Sequence, residues 1–448
     1  MALLTPFRGI RYNPEQIASL ADVVSPPYDV ISPSAQAELH ARSPFNVVRL
    51  ELGQAEPGDG PENNPHTRAG NYLRRWLAEG VLIQEAQPAL YLAATTFASG
   101  GTSVTRWGLM AGVRLEPFEH GGILPHERTY SKVKSERLSL MRACRANLSP
   151  IFGFFSDPDA MLPRLVARAT ASAPTIDFQD GHRHRHRMWV VSDPALHRLA
   201  ADQAARQTLF IADGHHRYET ALAYRDTLAA DQGGLPEAHP ANYILMYLSS
   251  IQDPGLIIEP AHRLLPSVDP EIRRTFLERA GAIFRVTQLP PLGQTPDALQ
   301  RLQAGLDQTR HGEGVVVVMR DEQTPYLLQL EPGHKAALYP ESTPDVLRDI
   351  DVTLLTDIIF PRFLAISAEQ LDDVDRVRYD QDARRAVDSV VSGRCDMAFI
   401  IKPTPIAAVQ RIADAGRVMP RKSTYFAPKV ITGLVMHALE AFSAGSVY

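Results

Sequence analysis

The sequence predicts an α+β protein built on a mixed sheet, together with a smaller α+β subdomain. Its 448 residues exceed one ordinary core, and 44% of them are hydrophobic. Strand-like runs such as "NYILMYLSSI" occur beside helix-like runs such as "HRYETALAYRDTLAA". Residues 266–345 then change to a helix, helix, strand, strand order. We therefore expect an N-terminal α+β domain over 1–265, an inserted or appended subdomain over 266–345, and a C-terminal helical segment over 346–448 that completes the site.

The individual elements follow from periodicity and from turn residues. "TRAGNYLRRWLAEG" has helical spacing and ends at Gly80, and "PALYLAATTFA" and "TRWGLMAGVRLEPF" predict two strands joined at "SGGTS". Residues 134–146 have helical spacing. "TIDFQDGHRHRHRMWVVSD" predicts a β-hairpin with its turn at Asp180-Gly181. "TLFIA" predicts a strand before the helix that starts near His216, and the apolar stretch after Lys429 predicts a final helix.

Composition argues against nucleic-acid-binding, membrane-spanning and secreted proteins. The formal net charge of -5 argues against nucleic acid as the main partner. No apolar run reaches the ~18 residues that span a bilayer, and "MALLTPFRGIRYNP" does not resemble a signal peptide. The two cysteines lie far apart, which favours a reducing compartment. We expect a cytoplasmic protein with a small-molecule substrate and no membrane partner; a homodimer stays open.

The most informative stretch is "FIADGHHRYET", where a predicted strand meets a predicted helix. The first amides of a helix lack internal acceptors and attract anions, most often phosphate. Gly214 permits close approach of the backbone, and Arg217 can form paired hydrogen bonds to phosphate. His215 and His216 can exchange protons near neutral pH. Asp213 is either the helix cap or part of this site.

Three further clusters carry candidate residues. "LPHERT" with the basic helix that follows offers the carboxylate, imidazole and cations that phosphoryl transfer needs. "PRKSTYFAPK" places basic residues beside hydroxyl groups, and "SPPYD" holds a carboxylate in a rigid loop. A solvated surface is the alternative in each case. The residues concerned are His126, Glu127, Thr129, Lys134, Arg137, Lys422, Ser423, Thr424, Lys429, Tyr28 and Asp29.

The predicted hairpin carries His182, His184 and His186 in alternation with arginines. Alternation on a strand places the three histidines on one face, so a metal site is one interpretation. A solvated hairpin arm is the favoured one. The sequence has no H-E-x-x-H, Walker-type or G-x-S-x-G motif.

Several of these segments together resemble a known family. "TPFRGIRYNPE", "VVSPPYDVIS", "LPHERT", "RANLSPIFGFF", "IADGHHRYETALAYR" and "KSTYFAPK" resemble, in this order, the domain-of-unknown-function family 1015. The "RANLSP" segment adds Asn147 and Ser149 to the binding residues. The Asp213 segment also resembles ParB-type and sulfiredoxin-type domains and the free-serine kinases of that fold, which implies a ParB/sulfiredoxin-like core.

The resemblance to the kinases implies roles for individual residues. Asp213 would be a catalytic or metal-associated acid, His215 and His216 would contact acceptor or phosphate, and Arg217 would neutralise phosphoryl charge. Glu127 is our choice for the general base, with Asp29 second.

The expected function is a phosphotransferase acting on a small hydroxy compound. Free L-serine is the favoured acceptor, the donor is pyrophosphate, ATP or ADP, and Mg²⁺ is the expected cofactor. The alternatives are a phosphoserine phosphatase and a ParB-like nucleotide-binding regulatory module. A metal-dependent hydrolase using His126, His215 and His216 ranks last.

Overall fold

A computed structural model describes residues 2–127, 131–292, 298–322, 324–331 and 333–440. The chain divides into two compact units. Unit 1 comprises Met1–Ile257 with Pro428–Tyr448, and unit 2 comprises Ile258–Ala427. The boundaries predicted from the sequence, at 265 and 345, differ from these, because unit 2 includes most of the stretch expected as a C-terminal segment. Pro428–Tyr448 returns to unit 1.

Strands and helices alternate along much of the described chain. The strands are β1 (Leu4–Thr5), β2 (Gly9–Tyr12), β3 (Leu82–Gln84), β4 (Leu90–Ser99), β5 (Thr102–Arg114), β6 (Ile123–Leu124), β7 (Ala146–Asn147), β8 (Ile151–Phe155), β9 (Ile176–Gln179), β10 (Arg185–Val191), β11 (Leu209–Asp213), β12 (Tyr243–Ser250), β13 (Ile257–Glu259), β14 (His262–Leu265), β15 (Phe284–Gln288), β16 (Gly314–Met319), β17 (Tyr326–Leu330), β18 (Arg378–Asp380), β19 (Met397–Ile400), β20 (Tyr425–Ala427) and β21 (Met436–Ala438). The helices are α1 (Pro33–Arg42), α2 (Val48–Glu51), α3 (Pro65–Ala78), α4 (Ser131–Cys144), α5 (Met161–Ala169), α6 (Pro194–Ala204), α7 (His215–Gln232), α8 (Pro270–Ala280), α9 (Ala298–Asp307), α10 (Lys335–Leu338), α11 (Asp351–Thr353), α12 (Ala383–Val391) and α13 (Ile406–Asp414).

Unit 1 is organised around a nine-stranded mixed sheet. Its strand order is β6-β11-β8-β12-β5-β4-β10-β9, and β1 pairs with β5. The long β4–β5 hairpin turns at Gly100 and Gly101, which both have positive φ, and its strands alternate apolar and polar residues only near that turn. Buried aliphatic residues of the central strands pack with α5, α6 and α7 to form the core. The sheet therefore has α7, and the Asp213 corner that precedes it, near one edge.

A second layer of unit 1 is a four-stranded sheet in the order β3-β2-β21-β7. It packs with α3 around the fully buried Trp76. Asn64 caps α3 through a capping box, and Pro65 occupies its first turn, which explains why this helix starts where it does. This layer brings the C-terminal strand β21 beside β7, which carries Asn147.

Unit 2 has its own six-stranded sheet, ordered β15-β17-β16-β19-β14-β18. Its central strands β16 and β19 are entirely buried, which accounts for the continuous apolar runs "GVVVVM" and "MAFI". Its cores form on the two faces of this sheet. After α11 the chain continues as a π-helix over Leu354–Leu364 that contains Pro361.

The α+β class with a mixed sheet and a second α+β unit is confirmed. The predicted final helix is wrong within the described residues, because the chain after Lys429 forms β21. Gly433 has φ 105, outside helical geometry, and Met436 pairs with Ile10 across the sheet. Across the residues that the structure describes, none of the helices combines the length and apolar character needed to cross a membrane.

Candidate functional site

The predicted strand-to-helix corner exists at the junction of β11 and α7. Gly214 has φ 97 and ψ 25, and it occupies the cap position of α7 without a side chain to bond the first amides. A Cβ atom at Gly214 would lie 2.9 Å from Arg217 Nε. Glycine is therefore required both by the backbone angle and by the close approach of the guanidinium. The start of this 18-residue helix presents its amides without a side-chain cap.

Asp213 is held by two cations at this corner. Its Oδ2 accepts a hydrogen bond from Arg217 Nη2 at 2.6 Å, and its Oδ1 is paired with Lys429 Nζ. Burial by itself would raise the pKa of the Asp213 carboxyl, but the charges of Lys429 and Arg217 outweigh it and hold that pKa far below its ordinary value. Asp213 is therefore ionised near neutral pH, and it is a poor acceptor for a proton.

The guanidinium of Arg217 is largely committed within the protein. Its Nη1 donates to the Pro150 carbonyl at 2.5 Å and to Ser149 Oγ at 3.3 Å, and its Nη2 donates to Asp213. The residue is only 8% exposed. The predicted paired clamp on phosphate therefore cannot use Nη1 and Nη2 in this arrangement. The corner itself is not sealed, because Asp213, Gly214 and His216 are half-buried.

His126 and His215 form a buried pair beside Asp213. The backbone amide of His126 donates to His215 Nε2 at 3.2 Å, and the two rings lie edge to face at 4.7 Å. Nε2 of His215 is thus the unprotonated nitrogen of that ring. Burial lowers the pKa of His126 to about 4 and moves the pKa of His215 well below its ordinary value, in spite of the nearby Asp213 carboxylate. Both imidazoles are neutral at pH 7.

A second buried charge cluster is linked to Arg217 through Ser149. Arg137 Nη1 donates to Glu51 Oε1 at 3.3 Å, and Ser149 Oγ donates to the same oxygen at 3.0 Å. The guanidinium of Arg137 also stacks on the Tyr28 ring at 4.0 Å. Burial raises the pKa of Tyr28 to about 12, although Arg217 and Arg137 oppose this. Ser149 contacts both Glu51 and Arg217, so it joins the two charge clusters.

A small cavity of about 40 Å³ lies at this junction. Its polar lining consists of Glu51, Arg137, Asn147, Ser149, Arg217 and Thr220. Two buried donors in this lining, Asn147 Nδ2 and Arg217 Nε, meet no hydrogen-bond acceptor within the described part of the chain. Buried donors normally have a partner, and leaving one unsatisfied costs about 1–3 kcal/mol. The cavity is therefore suited to a ligand or water that supplies oxygen acceptors.

Glu127 lies three residues beyond the paired part of β6. β6 runs parallel to β11, with Leu124 opposite Phe210. Glu127 and Asp213 each follow this pair by three residues along the sequence. The contact between His126 and His215 shows that the segments following β6 and β11 remain close to each other beyond the paired residues. Glu127 is half-buried. Its neighbour His126 contacts His215, the first residue of α7.

The remaining predicted residues divide into several groups. Lys134 pairs with Glu219 of α7 at 2.6 Å, and Asp29 is exposed in the short 3-10 helix Tyr28–Val30. Thr129 lies outside the described residues. In unit 2, Lys422 is exposed, and the Ser423 hydroxyl donates to the Pro420 carbonyl. Thr424 is buried in the same loop of unit 2.

Two acidic partners at the site were missed at the level of sequence. Glu51 is 3% exposed at the end of α2, and Glu219 projects from α7 towards Lys134. A signal for Glu51 exists, since a lone carboxylate stands between two leucines in "RLELG". A charged residue in such an apolar run is rarely buried without a partner. Periodicity alone could not identify that partner as Arg137.

The donor set at Asp213 does not fit a divalent metal ion. Each of its carboxylate oxygens already contacts a cationic group, Lys429 for Oδ1 and Arg217 for Oδ2. A dication placed there would be repelled by both. Of the two roles expected for Asp213, catalytic or metal-associated acid, the metal-associated one therefore does not agree with this geometry, and the local positive charge comes from side chains.

Fold and site together define an α+β protein with an uncapped helix start beside the charged group Asp213, Arg217 and Lys429. The chain belongs to a family described as proteins of unknown function, DUF1015, whose sequence profile matches residues 4–353. None of the curated proteins matches it significantly.

Solved structures with a distant likeness include a conserved hypothetical protein from Pyrococcus furiosus. It is 12% identical, covers 70% of this chain and 92% of its own, and has a TM-score of 0.32. A free serine kinase in complex with AMP is 12% identical, covers 70% of this chain and 89% of its own, and has a TM-score of 0.32. A mutant free serine kinase in complex with ADP has the same identity and coverages and a TM-score of 0.33. A likeness this low carries no argument about the activity of this chain.

Proposed function

We propose that this chain transfers a phosphoryl group to a small hydroxy compound, with free L-serine as acceptor and O-phospho-L-serine as product. The observation that carries the proposal is the set of donors at the start of α7. An uncapped helix start lies beside Lys429 and the Asp213–Arg217 pair, and two unsatisfied buried donors line the adjacent cavity. Such a donor set favours an anionic ligand.

The phosphates of the donor would lie at the α7 amides, next to Lys429. Asp213 keeps Lys429 and Arg217 in place, since its carboxylate contacts both. Because its pKa is held low, Asp213 is assigned to positioning and not to proton transfer. The neutral His126–His215 pair packs beside Asp213, and the hydrogen bond from the His126 amide fixes the His215 ring.

Glu127 is proposed as the general base. The serine hydroxyl oxygen forms a bond to the terminal phosphorus of the donor as the bond from that phosphorus to the bridging oxygen breaks. The leaving nucleotide or phosphate retains the electron pair of the broken bond, and Glu127 accepts the hydroxyl proton. Mg²⁺ would enter with the donor phosphates as part of the substrate, so no protein ligand is assigned to it.

The small cavity is the proposed position of the amino-acid group of serine. Its lining offers one carboxylate, Glu51, and two guanidinium groups, Arg137 and Arg217, which complement a zwitterion. Asn147 Nδ2 and Arg217 Nε would donate to the serine carboxylate. The proposal therefore favours L-serine over ethanolamine, which lacks a carboxylate, and over 3-hydroxypropionate, which lacks an amine.

The test supplies L-serine and Mg²⁺ with ATP, ADP or pyrophosphate in parallel and measures O-phospho-L-serine by ³¹P NMR and mass spectrometry. Phosphate release from O-phospho-L-serine, measured alongside, reports the phosphatase direction. We expect turnover with at least one donor and a preference for L-serine over its two truncated analogues. Absence of turnover with every donor, together with no phosphate release, would refute the proposal.

A matched pair of glycine variants tests the placement of the site. Gly214→Ala and Gly121→Ala both put a side chain on a residue with positive φ, 97 and 75 respectively. Only the first places a Cβ atom within 3 Å of Arg217, since a Cβ atom at Gly121 would meet no atom of the described residues within 4 Å. We expect Gly214→Ala to abolish turnover and Gly121→Ala to retain it. Equal activity of the two variants would place the reaction elsewhere.

A further inference from the structure

We infer that the β9–β10 hairpin of unit 1 binds a divalent transition-metal ion, with Zn²⁺ as the representative ion, through Asp180, His184 and His186. One ligand atom from each of these residues lies within 4.8 Å of the others. Two imidazole nitrogens and one carboxylate oxygen form a donor set that Zn²⁺ and its first-row neighbours prefer. This site is independent of the proposed phosphoryl transfer.

The two oxygens of Asp180 have different tasks. Oδ1 accepts hydrogen bonds from the backbone amides of His182 and His184, both at 2.9 Å, and these bonds stabilise the turn. Oδ2 faces the imidazoles, 2.9 Å from His186 Nε2 and 3.6 Å from His184 Nδ1. Oδ2 and the two nitrogens therefore converge while the turn remains bonded through Oδ1. Tetrahedral Zn²⁺ would need separations of roughly 3.3 Å, which small ring rotations can supply.

The surroundings of His186 match those of a metal ligand. The residue is 2% exposed, and its other ring nitrogen, Nδ1, lies 3.4 Å from Thr95 Oγ1 on β4. A histidine that binds metal through one nitrogen commonly donates through the other to a neighbouring oxygen. His182, whose ring is 5.9 Å from that of His184, is exposed beside the cluster and is available as a further ligand.

Arg185 and Arg187, the two arginines of "HRHRHR" that lie on β10, do not crowd this cluster. Strand alternation sends Arg185 and Arg187 to the opposite face of β10 from His186. There Arg185 pairs with Asp177 at 2.6 Å, and Arg187 lies over Trp107 and Trp189. The sheet order separates β10 from β11 by five strand spacings, or about 24 Å. The metal would thus stabilise the hairpin and lie too far from Asp213 to act there.

Isothermal titration of the full chain with Zn²⁺, and the visible spectrum of added Co²⁺, test the site. We expect one equivalent to bind, and His184→Ala or Asp180→Asn to weaken binding by at least about tenfold. Asp180→Asn keeps an oxygen for the turn and removes the ligand oxygen. His120→Ala, an exposed histidine of the same unit, is the matched control and should bind as the unmodified chain does.

Thermal unfolding supplies a readout that needs no variant at the buried His186. Zn²⁺ should raise the unfolding temperature of the unmodified chain and of His120→Ala, and it should raise that of Asp180→Asn by clearly less. Equal Zn²⁺ affinity of the unmodified chain and of His184→Ala would overturn the inference. So would a Co²⁺ spectrum that Asp180→Asn leaves unchanged.

Discussion

Two aspartates of unit 1, near opposite edges of its nine-stranded sheet, are both held in the ionised form, but by different neighbours. Lys429 and Arg217, which carry permanent charges, hold the pKa of Asp213 low. At Asp180, burial alone would raise the carboxyl pKa, and hydrogen bonds from His184 and His186 lower it far below its usual range. Cations around Asp213 favour an anionic ligand, whereas imidazoles around Asp180 can exchange their hydrogen bonds for a metal ion. The side chains around a buried carboxylate thus decide which kind of ligand the site can bind.

The largest effect is expected at the Asp213 corner, from removal of Glu127, the proposed general base. Glu127→Gln should lower kcat for serine phosphorylation by about 100- to 10,000-fold, because general-base catalysis contributes on that scale. Asp29→Asn, at an exposed carboxylate, should stay within about threefold of the unmodified enzyme. Steady-state kinetics with the active donor measures both. The reverse ranking would transfer the role of base to Asp29.

The ion pairs Lys429–Asp213 and Lys134–Glu219 should contribute differently to the free energy of unfolding. Lys429→Met leaves Asp213, whose side chain is 14% exposed, with one cation fewer, and it should lower the free energy of unfolding by about 3–5 kcal/mol. Lys134→Met breaks a pair in which the lysine side chain is 38% exposed, and it should cost less than about 1 kcal/mol. Urea unfolding followed by tryptophan fluorescence measures this for unit 1, which contains Trp76, Trp107 and Trp189. Equal losses would mean that Asp213 does not depend on Lys429.

The buried imidazole of the Asp213 corner should make unit 1 sensitive to acid. Since burial lowers the pKa of His126 from 6.5 to about 4, the unfolded chain binds more protons than the folded chain between these values. Stability is therefore complete above pH 6.5 and declines as the pH falls towards 4, by at most about 3 kcal/mol for this histidine. Urea unfolding at several pH values measures the slope. His126→Gln should reduce this slope, and the remainder includes contributions from His215 and His437, whose pKa values burial also lowers; an unchanged slope would contradict the assignment.

The smallest expected effect concerns the hairpin turn without metal. Asp180→Ala removes the acceptor for two backbone amides and should cost about 1–2 kcal/mol, whereas Asp180→Asn retains it and should cost about 0.5 kcal/mol. Thermal unfolding in the presence of a chelator compares them. If the two variants lose equal stability, the division of tasks between Oδ1 and Oδ2 is wrong.

Local signals located several features of the molecule from sequence. Gly80 ends α3, the hairpin turn follows Asp180, and Gly214 marks the change from β11 to α7. These succeed because a glycine with positive φ or a turn aspartate acts within a few residues. The C-terminal strand β21 could not be predicted in this way. Its apolar residues fit a helix equally well, and pairing with β2 and β7 made it a strand.

The sequence by itself determined the α+β class, the family and the strand-to-helix corner at Asp213, because periodicity and glycine geometry are local properties. Only the tertiary structure decided which charges meet. Lys429 reaches Asp213 from 216 positions away, and Glu51 reaches Arg137 from 86 positions away. Ion pairs between buried groups depend on distance in space and on exclusion of water. The spacing of residues along the chain gives neither the distance between two groups nor their exclusion from water. The set of residues that form the site could therefore be identified only from the fold.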